Sequence, residues 1–109
     1  MHSVPMEITG VEKNLKRYYD DKIVAAIVGI VVDVNRVEAV AKSLSVHKNV
    51  EDVFIVTGEF DIVIKVRFPE FWILQEFLME ELSKIPGIRG SKTMMVLTAV
   101  KDMGQILMG

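Results

Sequence analysis

The sequence has no cysteine and only two histidines among its 109 residues. Without cysteine the chain can form no disulfide, present no thiolate nucleophile and bind no metal through sulfur. The two histidines, His2 and His47, lie far apart and neither belongs to an HxxxH or HxxE spacing, so no metal site is predicted. The absence of cysteine is also typical of a reducing compartment, and we expect a cytoplasmic protein.

Long hydrophobic runs and charge of one sign are also lacking. The longest apolar run, residues 23–32, is about half as long as a membrane-spanning helix, and residues 1–5 show no secretory signal pattern. Thirteen basic residues stand against fifteen acidic ones, which argues against phosphate backbones as the main ligand. Half of the residues are hydrophobic, so we expect one soluble globular domain with neither a membrane nor a direct nucleic-acid partner.

What the sequence does contain is a succession of strand and helix patterns. Residues 23–32 are rich in β-branched side chains and apolar without alternation, which predicts a strand buried on both faces. From residue 35 the apolar spacing changes to i, i+3, i+4 and i+7, which predicts an amphipathic helix that ends near residues 47–49. The apolar positions of this helix are Val37, Val40, Ala41 and Leu44.

The second half of the pattern begins with a predicted hairpin. Residues 50–57 and 60–68 are its strands, and Gly58-Glu59 is the predicted two-residue turn, because glycine readily takes a positive φ. A second helix is predicted from Pro69 to the stop at Pro86-Gly87, followed by a last strand over residues 91–100. The core stripe predicted for the second helix is Phe71, Leu74, Phe77, Leu78, Leu82 and Ile85.

The order β-α-β-β-α-β predicts an α+β fold, a ferredoxin-like sandwich in which one antiparallel sheet carries both helices on one face. We assign residues 1–21 to an N-terminal linker or strand segment, residues 22–101 to the domain and residues 102–109 to a C-terminal tail. Because residues 23–32 are apolar on both sides, the second face of the sheet needs a cover. A second subunit packed sheet against sheet is the expected cover, and the alternative is that residues 1–22 fold back over this face.

Three motifs, taken in their order along the chain, resemble a known family. They are Val56-Thr57-Gly58-Glu59-Phe60-Asp61 before an alternating strand, Ile85-Pro86-Gly87 at the end of a helix, and Ser91-Lys92-Thr93 at the start of the last strand. Together they resemble the effector-binding (RAM) domain of the Lrp/AsnC, or feast/famine, transcriptional regulators over residues 22–101. Residues 7–16 also resemble the linker strand that precedes this domain in full-length members. No helix-turn-helix pattern precedes them, so the chain resembles a stand-alone effector domain.

The resemblance implies homodimers built on facing sheets, which assemble into octameric or similar rings, and a small amino acid bound where dimers meet. It also implies full-length Lrp/AsnC paralogues as partners, and no cofactor besides this amino-acid effector. Carried over by position, the ligand-binding residues are Gly58, Glu59, Phe60, Asp61, Ser91 and Thr93. The chemistry fits, because backbone N–H groups and hydroxyls donate to a carboxylate and a carboxylate accepts from an ammonium group. Asp61 is the expected partner of the ammonium group, and Phe60 is the expected wall of the side-chain pocket.

Each of these residues also has a purely structural interpretation. Gly58 is required by the turn whether or not a ligand contacts it. Asp61 could bond nearby turn N–H groups, and Ser91 and Thr93 could satisfy loose backbone groups at a strand start. Phe60 could belong to the core or to an interface.

The resemblance to the effector-binding domain predicts an amino-acid-sensing and oligomerisation domain. Such a domain acts on transcription indirectly, through effector binding and co-assembly with full-length regulators. Two alternatives stay open: a small dimeric enzyme of ferredoxin-like fold, such as a monooxygenase or isomerase, and a structural assembly module without a ligand. Catalysis needs a positioned acid or base inside a roomy pocket. The predicted interior is filled by aliphatic and aromatic side chains and contains neither histidine, so no catalytic residue is assigned and we expect a protein that is not an enzyme.

Overall fold

The computed structural model describes residues 23–108 and shows one four-stranded antiparallel sheet with two helices. The sheet strands are β1 (Val24–Val32), β2 (Val50–Ile55), β3 (Ile62–Phe68) and β4 (Ile88–Met95), in the spatial order β2-β3-β1-β4. Helix α1 (Val37–Ser45) follows a 3₁₀ turn at Val34–Arg36. Helix α2 runs as an α-helix over Phe71–Glu76, a π-helical turn over Phe77–Glu81 and a 3₁₀ turn over Leu82–Lys84. The predicted α+β, ferredoxin-like fold is confirmed.

The main core lies between the sheet and its two helices. Every second residue of β1 faces this layer, and Ala26, Val28 and Ile30 have no exposed surface. Other members of the same cluster are Val40, Leu44, Ile62, Ile64, Val66, Leu74, Phe77 and Leu82. Burying a side chain of this size contributes about 1.5–3 kcal/mol to the free energy of folding, so this layer is the main source of stability. Within residues 23–108 no helix is both long and apolar enough to cross a membrane.

Helix α2 departs from its predicted apolar stripe at one end. Leu74 and Phe77 are buried as predicted, but Phe71 is 53% exposed. Phe71 is the first residue of the helix and precedes the turns that pack on the core. The π-helical turn further along the helix changes the spacing of the apolar stripe. The Ser83 hydroxyl, which follows this turn, donates to the carbonyl of Met79 in the turn (2.6 Å).

Three predicted strands have other limits in the structure, and one of them is β3, which begins at Ile62 and not at residue 60. The first hairpin strand, β2, ends before residue 57, and β4 is shifted towards the N-terminus relative to the predicted residues 91–100. β4 begins earlier because Ile88 pairs with Val32 across a bulge at the end of β1. It ends earlier because its pairing with β1 runs out after Val96, whose N–H donates to the Ala25 carbonyl (2.9 Å).

The sheet face away from the helices, here called the open face, carries Ala25, Ile27, Gly29 and Val31 of β1. The prediction that a single chain leaves this face bare is only partly right. Residues 96–108, here called the C-terminal segment, fold across one part of it and form a small hairpin of β5 (Lys101–Asp102) and β6 (Gln105–Ile106). As a result Ala25 is only 2% exposed. The alternative cover, residues 1–22, lies outside the described residues.

A cluster of four charged side chains, here called the ion cluster, attaches the C-terminal segment to the open face. Lys65 and Arg67 lie on this face of β3, and Asp102 of β5 pairs with both, at 3.0 Å from Arg67 Nη2. Glu51 of β2 accepts from Arg67 Nε (2.5 Å) and Nη2 (3.1 Å). The Arg67 side chain is 9% exposed, and a buried guanidinium of this kind is tolerated only when carboxylates pair with it.

Phe60 covers a second part of the open face. A β-carbon added at Gly29 would lie only 2.5–2.6 Å from carbons of the Phe60 ring, which is closer than atoms can pack. Gly29 is therefore needed for its missing side chain rather than for its backbone conformation.

Replacement of Gly29 by alanine is expected to lower the free energy of unfolding by about 1–3 kcal/mol, because the new methyl group must displace the Phe60 ring. Urea-induced unfolding followed by circular dichroism measures the change. Gly90→Ala on the neighbouring strand is the matched control, since an added β-carbon there meets no atom within 4 Å. Equal effects of the two substitutions would contradict the close packing of Phe60 on Gly29.

The ion cluster makes stability depend on pH through Glu51. Burial by itself raises the pKa of this carboxyl, but the hydrogen bond and charge of Arg67, with those of Lys65, outweigh burial and leave the pKa below its ordinary value. Because the pKa is lower in the folded chain than in the unfolded chain, the carboxylate stabilises the fold above its unfolded-state pKa. This stabilisation is lost as the pH falls through the folded-state pKa.

We expect Glu51→Gln to lower the free energy of unfolding by about 1–2 kcal/mol near neutral pH. The difference from wild type should shrink as the pH falls below the ordinary pKa of glutamate, about 4.3, and through the lower folded-state pKa of Glu51. Urea titrations of both proteins over this pH range measure it, with Glu38→Gln on the exposed side of α1 as the control for removing one surface charge. A difference that does not change with pH would show that the charge of Glu51 contributes nothing.

Candidate functional site

The loop of residues 56–61 joins β2 to β3 and carries four of the six predicted ligand residues. The predicted two-residue turn is wrong, because β2 ends at Ile55 and β3 begins only at Ile62. The Val56 N–H donates to the Asp61 carbonyl (2.9 Å) and closes the loop at its base. Gly58 has a φ of +124°, so the positive φ predicted for it is confirmed. Gly58 and Glu59 are exposed at the tip of the loop.

Asp61 connects this loop to the end of β1. Its backbone N–H donates to the Ile30 carbonyl (2.9 Å), and its carboxylate oxygen Oδ2 accepts from the Val32 N–H (2.8 Å). The side chain therefore has a structural role at the strand end, close to the structural interpretation open in the sequence, although its partner is in β1 and not in the turn. A carboxylate has acceptor sites beyond the one that this bond uses.

Phe60 lies on the open face, where its ring covers the backbone of Gly29. The signal for this contact is already in the sequence. Gly29 is an isolated glycine within an otherwise β-branched strand, and such a glycine often marks the close approach of another group.

Ser91 and Thr93 lie on the edge strand β4, where they pair with Ile30 and Val28 of β1. Residues that pair directly across two strands project to the same side of the sheet. Since Ile30 and Val28 face the helices, the two hydroxyl residues project to the helix side. Ser91 is exposed and Thr93 is half-buried.

The six predicted residues thus lie at one end of the sheet but do not form one pocket within the chain. Asp61 and Ser91 lie on opposite flanks of Ile30 in the sheet. The Asp61 N–H bonds to the Ile30 carbonyl from the β3 side, and Ser91 pairs with Ile30 from the β4 side. Two strand spacings separate these flanking backbones, about 10 Å. The Phe60 ring and the Thr93 hydroxyl lie on opposite sides of the sheet, so a small ligand in one chain cannot contact both.

The described grooves lie elsewhere. One of about 530 Å³ lies between the open face and the C-terminal segment, and its lining is Ile27, Lys65, Val96, Thr98, Ala99, Val100, Lys101 and Asp102. Another of about 360 Å³ lies between α1 and β2 and is lined by Ala41, Lys42, Ser45, Val53 and Ile55. None of the six predicted ligand residues lines either groove.

The ion cluster is the polar feature that the sequence does not reveal. Lys65 and Arg67 alternate with apolar residues, which is the ordinary pattern of a solvated strand face, and Asp102 lies in the predicted tail. The available signal is two cations at i and i+2 on one strand face, which need anions if that face is buried. Nothing in the local sequence points to Asp102 as their partner.

His47 has a structural role between the two helices. Its Nε2 lies 3.1 Å from Glu81 Oε1, and its Nδ1 accepts from the Asn49 N–H (3.1 Å). Its ring packs edge-on against Phe77, with the centroids 4.9 Å apart. In the part of the chain that the structure describes, no three His, Asp or Glu side chains are arranged to hold a metal ion.

Comparison with other proteins places this geometry in a family. A family model described as the Lrp/AsnC ligand binding domain matches residues 25–106. An HTH-type transcriptional regulator of Pyrococcus furiosus is 36% identical over 81 residues, which cover 74% of this chain and 54% of that protein. The chain spans about half the length of the curated relatives it matches.

Solved structures show the same fold. The crystal structure of FFRP-DM1 has a TM-score of 0.66 at 27% identity and covers 68% of this chain and 99% of its own. A transcriptional regulator of Neisseria meningitidis, solved as a complex with L-Met, has a TM-score of 0.69 at 18% identity and covers 97% of this chain and 66% of its own. Because the family model matches well over half of the chain, the resemblance seen in the sequence is confirmed and the protein belongs to the Lrp/AsnC family through its ligand-binding domain.

Proposed function

We propose that this chain is an amino-acid-sensing and oligomerisation domain that acts in the cytoplasm on transcription. It binds a small amino acid where two of its dimers meet, and it modulates transcription indirectly by co-assembling with full-length Lrp/AsnC regulators. It has no catalytic role and needs no cofactor besides the effector. The observation that carries the proposal is the division of the predicted ligand residues between the two sides of the sheet at one end.

This division requires two chains for one complete site. The loop of residues 56–61 supplies backbone N–H groups, the Asp61 carboxylate and the Phe60 ring from one chain. Ser91 and Thr93 supply hydroxyls from another. A free amino acid needs donors for its carboxylate and an acceptor for its ammonium group, and these two halves together supply both. Effector binding then favours assembly, because only the assembled state contains the whole site.

The dimer itself forms through the open face and the C-terminal segment. Exposed apolar side chains lie on both, and they are Phe54, Met94, Leu97, Val100, Met103 and Ile106. The two cations of β3 on this face, Lys65 and Arg67, are already paired with Glu51 and Asp102 of the same chain. A second subunit can therefore cover this part of the face without burying an uncompensated charge. Such dimers assemble further into an octamer or a similar ring.

A calorimetric screen of the twenty amino acids tests the effector site. We expect at least one amino acid to bind wild type, and Asp61→Asn to weaken that binding by at least about tenfold. Asparagine keeps an oxygen for the Val32 N–H and removes the charge that the ammonium group needs. Thr93→Val, which removes a hydroxyl at nearly constant volume, should weaken binding as well. Lack of binding by every amino acid would favour the structural assembly module.

Mixing the two variants tests whether two chains complete the site. If loop and strand halves come from different chains, co-refolded Asp61→Asn and Thr93→Val proteins regain some contacts in which both halves are wild type. Part of the binding capacity then returns at wild-type affinity. If one chain supplied all six residues, every site in the mixture would stay defective.

Sedimentation velocity tests the dimer face. We expect Met94→Asp and Leu97→Asp to raise the dimer dissociation constant at least about tenfold, because each places a charge in an apolar contact. Val46→Asp is the matched control, since Val46 is 84% exposed but follows α1 on the helix side. If Val46→Asp raised the dimer dissociation constant as much as the other two substitutions, the dimer contact would lie on the helix side and not on the open face.

A further inference from the structure

The outward side of helix α2 carries apolar residues that neither the effector site nor the open face uses. Phe71, Trp72 and Met79 are 53%, 58% and 61% exposed. Trp72 and Met79 are seven residues apart, about two helical turns, so they lie on nearly the same side of α2, and Phe71 immediately precedes Trp72. The solvent side of a surface helix is ordinarily polar, and Trp is rarely left this exposed without a partner. These three residues are here called the aromatic patch.

Negative charge surrounds the aromatic patch. Residues 70–84 contain four glutamates and one lysine, a net charge of −3, although the whole chain has a net charge of only −2. Glu70 accepts a hydrogen bond from the Trp72 indole N–H (3.0 Å), which holds the ring against the start of the helix. Glu76 and Glu80 are exposed one and two turns further along. The patch is therefore an apolar ridge with carboxylates on its borders.

The position of the patch separates it from the other two surfaces. α2 begins just after the C-terminal end of β3, whereas the loop of residues 56–61 precedes the N-terminal end of the same strand. The length of β3 is about 20 Å. The patch also lies on the helix side of the sheet, opposite the open face. A second copy presenting the same patch would bring like charges together, which disfavours symmetric self-pairing.

We propose that the aromatic patch docks a basic amphipathic helix of another protein. The three apolar side chains enter the apolar stripe of that helix, and the bordering glutamates face its Lys and Arg side chains. Apolar residues spaced along one side of α2 fit the ridge-and-groove packing of a second helix. Trp is the side chain most often found to dominate such contacts, and the opposite charge on the borders selects for a basic partner.

A synthetic helical peptide tests the proposal with the intact chain. The probe is a fluorescein-labelled amphipathic peptide of leucine and lysine, about 18 residues long, and its control has glutamate at every lysine position. Trp72 is the only tryptophan, so its emission reports contact at the patch directly. We expect the lysine peptide to bind, to shift the Trp72 emission to the blue and to lose affinity as salt rises. The glutamate peptide should not bind.

Variants separate docking from general charge attraction. Phe71→Ala and Met79→Ala should each weaken peptide binding at least about fivefold, as measured by fluorescence anisotropy. Val34→Ala, at a 91% exposed apolar residue in the turn before α1, should leave binding unchanged. Glu76→Gln should weaken binding more than Glu38→Gln, which removes the same charge from α1.

Two results would overturn the proposal. One is peptide binding that does not depend on Phe71 and Met79, or that responds equally to loss of Glu38 and Glu76, because either shows unspecific charge attraction. The other is a change in the sedimentation of the protein alone on Phe71→Ala, which would assign the patch to contacts between copies of this chain. Amino-acid binding by these variants should equal that of wild type, so this test fails or succeeds independently of the effector site.

Discussion

The apolar character of β1 on both of its sides is the constraint on which the rest of the structure depends. Val28 and Ile30 need one cover and Ala25 and Ile27 need another, because each face left in water forfeits about 25 cal/mol for every Å² of apolar surface. The helices supply the first cover. The C-terminal segment and Phe60 supply part of the second, which leaves the remainder of the open face exposed. A single strand that has to be buried on both sides thus accounts both for the fold and for the apolar surface that stays exposed on the open face.

The ion cluster compensates the two cations that β3 places on the second, partly covered face of the sheet. Lys65 and Arg67 stand on the open face, and a cation there is tolerated only with an anion beside it. Glu51 comes from the neighbouring strand and Asp102 from the C-terminal segment. The pairing therefore compensates the charges of Lys65 and Arg67 and attaches the segment that covers them. The same ion pairs therefore hold the C-terminal segment on the open face and compensate the charges of the two cations beneath it.

Periodicity predicts the layered fold because helix and strand spacings depend on nearby residues only. The buried residues of β1 and α1 follow from it directly, whereas three features do not. The loop of residues 56–61 is longer than a Gly58-Glu59 turn because the pairing of β2 with β3 stops at Ile55 and Ile62. The start of β4 depends on a bulge opposite Val32. Phe71 fits the apolar spacing of α2 but precedes the turns that pack on the core, so it is exposed.

The amino-acid sequence by itself determined the order of the elements, the buried residues of β1 and α1 and the motifs by which the family is recognised. All of these depend on local spacing. Only the tertiary structure decided that Asp61 bonds to the Val32 N–H, that Asp102 joins the ion cluster, and that Phe60 and Thr93 lie on opposite sides of the sheet. The reason is strand register. It brings together residues far apart in the chain, and a shift by one residue moves a side chain to the other face.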